Sequence, residues 1–267
     1  MPLNIFPNIM NIPAAPNRWR FAAKALLTHL LICALIVLLV SLLVFKVWFP
    51  YPYYEMIGSL KLMGLIVAVD LVCGPLLTFV VANPAKSKNE LIRDFGLIGL
   101  IQLAALCYGL FALAQARPVA LAFDKDRFYV ATAVQIEPER LAKAPKAFQK
   151  LPLFGIYQVG TRKPANEQEF FDSINLAFAG IPSSTRPDWW LPRKDVEDNI
   201  TKAKIPLASL MAKYPDRAQI INRHLGKLAR DSTNLYYLPL TSEKTLNWIM
   251  VMDFENKAVA YVPVDGF

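Results

Sequence analysis

Histidine and cysteine are scarce in this chain, with two and three copies among 267 residues. All three cysteines (Cys33, Cys73, Cys107) fall inside long apolar runs. The remainder therefore has no thiol for a disulfide framework or a thiolate metal site. His29 and His224 are far apart and form no His-Glu-x-x-His zinc pattern. No Gly-x-Ser-x-Gly nucleophile elbow occurs. Charge is also missing over long stretches. Ala25 to Phe45 is interrupted only by Thr28, His29 and Ser41, Leu62 to Ala82 carries one charge at Asp70, and Leu97 to Ala114 carries none. One deep acid cannot supply the paired carboxylates of an aspartyl intramembrane peptidase. Catalytic, metal and cofactor sites are accordingly expected to be none, and an enzyme is disfavoured.

The three apolar runs are what is present in their place. About 18 or more apolar residues at 1.5 Å rise cross a ~30 Å hydrocarbon layer, so the runs read as transmembrane helices over about 25–45, 62–82 and 97–114. The first exceeds the ~7–15 apolar residues of a signal peptide and lacks a small-residue cleavage site before Trp48. The division expected is a disordered basic tail over 1–20, a three-helix membrane region over 21–117, and a soluble domain over 118–267. Residues 1–17 are rich in Pro and Asn, and translation starting at Met10 is an alternative to Met1.

The net charge is +8. Residues 1–118 hold nine basic against four acidic side chains, and the rest twenty against seventeen. The excess flanks the membrane runs, which points to orientation and lipid rather than to nucleic acid. Arg18, Arg20 and Lys24 precede the first run, and Lys86, Lys88 and Arg93 lie between the second and third. The first link instead carries Trp48, Phe49, Tyr51, Tyr53 and Tyr54, which reads as an aromatic belt at a membrane–water interface. The N-terminus is then cytoplasmic and the C-terminal domain periplasmic, in a multi-pass protein of the inner membrane.

A carboxylate at mid-depth costs roughly 2.5–3.5 kcal/mol on insertion scales, so Asp70 must face the bundle interior, be neutral, or have a partner. Gly74 follows one turn on, with Pro75 and Thr78 beside it, and Pro75 should kink the helix near Leu71. Gln102, Ala105 and Gly109 share a face of the third run, and their small members allow close packing, as do Gly64 and Ala68. Three readings of Asp70, Gln102 and His29 stay open: polar glue between the helices, a grip on another protein's transmembrane helix, or a proton relay.

Beyond Arg117-Pro118, Val119–Phe123 and Phe128–Val134 read as a hairpin around Asp124-Lys125-Asp126. A short helix at best lies over 137–149. Asn166 caps a helix over 166–179, stopped by Gly180-Ile181-Pro182. Helical pieces over 196–213 break at Pro206, and a helix over 215–229 turns Ile220, Ile221, Leu225 and Leu228 inward. Its other face is basic, with Arg217, Arg223, Lys227 and Arg230. Three strands close the chain over 235–240, 246–254 and 258–262. This order predicts an α+β domain with a mainly antiparallel sheet. Trp189 and Trp190 either form a partner surface or act as a lid on the core.

Several stretches taken together resemble a known family. They are Arg18-Trp19-Arg20 before a span with Thr28-His29-Leu30, Asp70 followed by Gly74-Pro75-Leu76-Leu77-Thr78, Gln102 ahead of Tyr108-Gly109, and Ala114-Gln115-Ala116-Arg117-Pro118 leading to Asp126-Arg127-Phe128. The chain resembles the type IV pilin accessory proteins of the TfpX/TfpZ group, also called fimbrial assembly proteins. The likeness covers the membrane half and first hairpin closely. It implies an inner-membrane, non-enzymatic, chaperone-like helper that stabilises a cognate major pilin or supports its assembly. The alternative is a membrane-anchored periplasmic sensor or ligand-binding protein, against which the lack of a cytoplasmic output domain weighs. Neighbouring genes separate the two.

Overall fold

The computed structural model describes residues 17–227 and 234–267; residues 1–16, Leu228 and Arg230 lie outside them. Three helices are long and apolar enough to cross a membrane: Arg18–Trp48, Ser59–Val81 and Lys88–Ala116. The first comprises α1 (Arg18–Leu42) and a π-helical end over Leu43–Trp48. Arg18, Trp19 and Arg20, placed by the sequence in a disordered tail, open this helix. A short α2 (Tyr53–Ile57) ends at Gly58, whose φ of 73° is left-handed and suits glycine. The second long helix runs through α3 (Ser59–Ala68), a π segment over Val69–Cys73, and α4 (Gly74–Val81). The third is α5 (Lys88–Ala116).

The expected kink at Pro75 takes the form of that π segment. Proline has no N–H to donate, and its ring would strike the carbonyl of Leu71 in a regular α-helix. A wider turn absorbs the misfit, and such turns often mark functional positions. Outward side chains are overwhelmingly apolar, Leu31, Leu35, Leu65, Val80, Leu100 and Phe111 among them. Gly64, Ala68 and Ala105, read as close-packing positions, lie on exposed surface instead, whereas Gly109 is buried. Small size permits close approach but does not say which face meets a neighbour.

The rest of the chain alternates strands and short helices: β1 (Pro118–Asp124), β2 (Arg127–Thr132), α6 (Pro138–Ala142), β3 (Tyr157–Thr161) and α7 (Glu167–Phe178) come first. β4 (Trp190–Pro192), α8 (Glu197–Ala203), β5 (Ile205–Pro206), α9 (Leu207–Lys213) and α10 (Pro215–Lys227) follow. β6 (Tyr236–Thr241), β7 (Trp248–Met252) and β8 (Ala258–Val262) complete the fold. The strands form one sheet in the order β4-β3-β1-β2-β6-β7-β8, with β5 against β6.

This sheet is mixed, which corrects the expected mainly antiparallel one. β3 runs parallel to β1, and β6 runs parallel to β2. The β1–β2, β6–β7 and β7–β8 hairpins follow short turns visible locally, as at Lys125, whereas these parallel pairs need long connections that carry helices. One core lies on β1–β4, around Val119, Ala131, Phe148, Val159 and Trp190. The other packs α9 and α10 on β6–β8 through Leu207, Ile221, Leu225, Ile249 and Val262.

The chain divides into two compact units. One comprises the described residues up to Leu38 with Leu65–Cys107; the other comprises Leu39–Gly64 with Tyr108–Phe267. The link between the first two long helices therefore belongs with the sheet. Phe49 and Met56 are fully buried, Ser242 donates to the Met56 carbonyl at 3.2 Å, and Tyr51 donates to the Tyr261 carbonyl at 3.0 Å. Tyr51 packs edge-on to Trp248, and Tyr53 stacks obliquely on Tyr261. Burial, and next the nearby Tyr261, pushes the Tyr53 phenol up from its ordinary range. The aromatic cluster read as an interfacial belt is thus in part a wedge of the folded domain.

Candidate functional site

The helical unit brings together most of the polar residues singled out in the sequence. Asp70 is the second residue of the π segment and is only 5% exposed. One turn on, Gly74 allows α5 to approach: a Cβ there would fall 2.0 Å from the Gln102 amide nitrogen. Gln102 uses that proximity to donate to the Asp70 backbone carbonyl at 3.3 Å, and it contacts Cys33 Sγ at 3.8 Å. The side chains of Asp70 and Gln102 are thus brought to one place, but the bond goes to main chain rather than to the carboxylate. Asp70 Oδ2 and Gln102 Oε1 are buried without a hydrogen-bond partner among the described residues.

Thr78 lies two turns past Asp70 and is buried. Its hydroxyl meets His29 Nδ1 at 2.5 Å, joining the first helix to the second. Neither residue's sequence context reveals this pairing. His29, Cys33, Asp70, Gly99 and Gln102 then line a groove of about 160 Å³, walled by Ile32, Ile36, Leu103 and Leu106. Ala105 is not part of it. Among the described residues no group of three or more His, Cys, Asp or Glu side chains could hold a metal ion.

Trp189 and Trp190 do not form an exposed partner surface. They are 4% and 1% exposed, and β4 carries Trp190 onto the core beside Phe148. Trp190 Nε1 donates to the Ser184 carbonyl at 3.0 Å. Two guanidinium groups lie close to Trp189, Arg162 at 4.3 Å and Arg186 at 4.0 Å from its ring centre. Arg186 is itself buried; it donates to Ser173 Oγ at 2.7 Å while its Nε lacks an acceptor among the described residues. Burial, and then the charge of Arg140, holds the Arg186 guanidinium below its ordinary value. Arg162 and Ser173 are remote from Arg186 and Trp189 in sequence, so no local signal reveals this cluster.

The fold and the groove define a class: three apolar helices of membrane-crossing length carrying a mixed-sheet domain, with a polar seam inside the helices. Comparisons narrow it. A family model described as fimbrial assembly protein FimB matches residues 17–58, which span α1, the aromatic wedge and Gly58. Over 252 residues, 94% of this chain, the sequence is 35% identical to the serogroup I fimbrial assembly protein of Dichelobacter nodosus, 98% of whose length is covered. The serogroup E1 protein of that organism is 34% identical over the same shares. The protein of serogroups C1 and C2 is 42% identical over 128 residues, 48% of this chain and 98% of its own length. The chain belongs to the fimbrial assembly protein family. No solved structure matches it.

Proposed function

We propose that this chain is a non-enzymatic accessory protein of the inner membrane that stabilises a cognate type IV major pilin or supports its assembly. Its N-terminus is cytoplasmic and its sheet domain periplasmic. The outward Leu31, Leu35, Leu65 and Leu100 side chains contact lipid tails, where their exposure carries no penalty. The groove lined by His29, Asp70 and Gln102 grips the pilin's transmembrane helix, and the sheet domain meets its periplasmic head. Gly74 and Pro75 shape that groove, and Thr78 fixes His29.

One observation carries the reading. Two buried acceptors, Asp70 Oδ2 and Gln102 Oε1, are unpartnered at a groove between apolar helices. An incoming helix with a donor satisfies them, for roughly 0.6–2 kcal/mol per bond within a membrane. Family membership agrees, since the relatives carry the name fimbrial assembly protein. The test is co-purification of pilin with wild-type, Asp70→Ala and Asp70→Asn proteins. Recovery should fall about three- to thirtyfold for Asp70→Ala, and surface pili should decline with it. Undiminished recovery and piliation with both variants would refute the grip.

A further inference from the structure

A second site is built into the sheet domain, and none of its lining residues lines the helical groove. β1 and β3 run parallel and end side by side at Asp124 and Thr161. Crevices outside the carboxyl ends of parallel strands are where α/β sheets commonly receive ligands. Here the crevice is a cleft of about 540 Å³, roofed by α7 and flanked by α8. That volume lies within the ~300–1,000 Å³ range of ligand sites. Its apolar lining includes Phe123, Phe170, Ile174 and Trp189, and Phe170 remains 45% exposed.

The charge of the lining is one-sided. Asp124, its lone acid, is occupied by hydroxyls: Thr161 at 3.1 Å, Ser184 at 3.2 Å, and Ser183. Arg162 is committed to Glu169 through a two-bonded pair at 2.5 and 2.8 Å, and its guanidinium lies 4.3 Å from the centre of the Trp189 ring. Lys125, Lys163 and Lys202 are exposed on the same lining and form no ion pair among the described residues. Three unpaired lysines thus share a lining with apolar side chains, among which Phe170 stays exposed.

From this geometry we infer that the cleft at the ends of β1 and β3 is a docking site for an acidic peptide segment of a partner protein, one presenting carboxylates to Lys125, Lys163 and Lys202 and an apolar side chain to Phe170 and Ile174. Charge complementarity steers the segment in, and the exposed Phe170 ring anchors it. The cleft uses no residue of the Asp70 groove, so this proposal and the pilin-helix grip fail separately.

The experiment uses the full chain in a neutral detergent and a fluorescein-labelled Glu/Gly peptide with one Phe. Its counterpart carries Gln for every Glu. The acidic peptide should bind and the Gln peptide should not, and added salt should weaken binding. Lys163→Glu with Lys202→Glu should weaken it about tenfold or more, at an unchanged melting midpoint, since both lysines are exposed. Phe170→Ala, also at an exposed position, should weaken it several-fold without touching charge. Equal binding of the Gln peptide, or no effect of the charge reversals, overturns the proposal. So does displacement by free glutamate at the peptide's own concentration, which would make the cleft a small-carboxylate pocket.

Discussion

Gly74 and Gln102 show how much a missing methyl can decide. The amide of Gln102 occupies the space where a Cβ on residue 74 would stand. Because the obstacle is the end of a flexible side chain, Gly74→Ala should displace the amide rather than push the helices apart. The loss is then the bond to the Asp70 carbonyl, worth about 1 kcal/mol in a membrane setting. Thermal melts in detergent should show that cost, and Gln102→Ala should absorb most of it in the double variant, as contacting sites are non-additive. Asp70 and Gln102 stand out in the sequence, because polarity inside an apolar run is conspicuous. Their geometry was not: counting rise per residue leaves Asp70 and Gln102 at different depths, and only the wide turn before Pro75 with the bare α-carbon of Gly74 explains their meeting. The His29–Thr78 bond escaped for a similar reason, since neither residue is unusual alone.

Helices were read well wherever an end carries its own chemistry. Asn166 accepts from the Glu169 amide at 2.9 Å, the cap its position promised, and α7 stops before Gly180, whose φ of 85° suits glycine. The burial of α7 was less legible, since none of its residues is buried and Phe171 and Phe178 face outward. Strand pairing across long connections left no trace in turn chemistry, which is why the parallel neighbours of β1 and β2 were missed. The start of α7 also carries a pH dependence. Arg162, and next the Ala165 amide, hold Glu169 down from the ordinary 4.5 to about 2. A carboxyl depressed in the folded state stabilises above its unfolded value and loses that contribution as pH falls to the folded one. Glu169→Gln should therefore melt below wild type at neutral pH. The difference between the two midpoints should close between about pH 4.5 and 2.

At the scale of the molecule, the aromatic wedge binds distant parts of the sequence into one domain. Tyr53 is buried against Tyr261, so Tyr53→Ala should cost about 3 kcal/mol and lower the melting midpoint of the sheet domain in the full-length protein. The wedge also restricts topology. Residues 49–57 and 236–262 share a core, so accessibility labelling must find both on one side of the bilayer. Labels on opposite sides would refute the periplasmic placement and the contact together. The proposed topology puts two crossings between those segments, which is compatible with their shared core.

That same wedge sets an order of events during synthesis. Tyr51 leaves the ribosome long before Tyr261, the residue 210 positions later whose carbonyl it holds. Until β8 has been made, Tyr51 and Tyr53 lack their Tyr261 partner. The link between the first two long helices therefore waits for nearly the whole of the following sequence before it is locked in place.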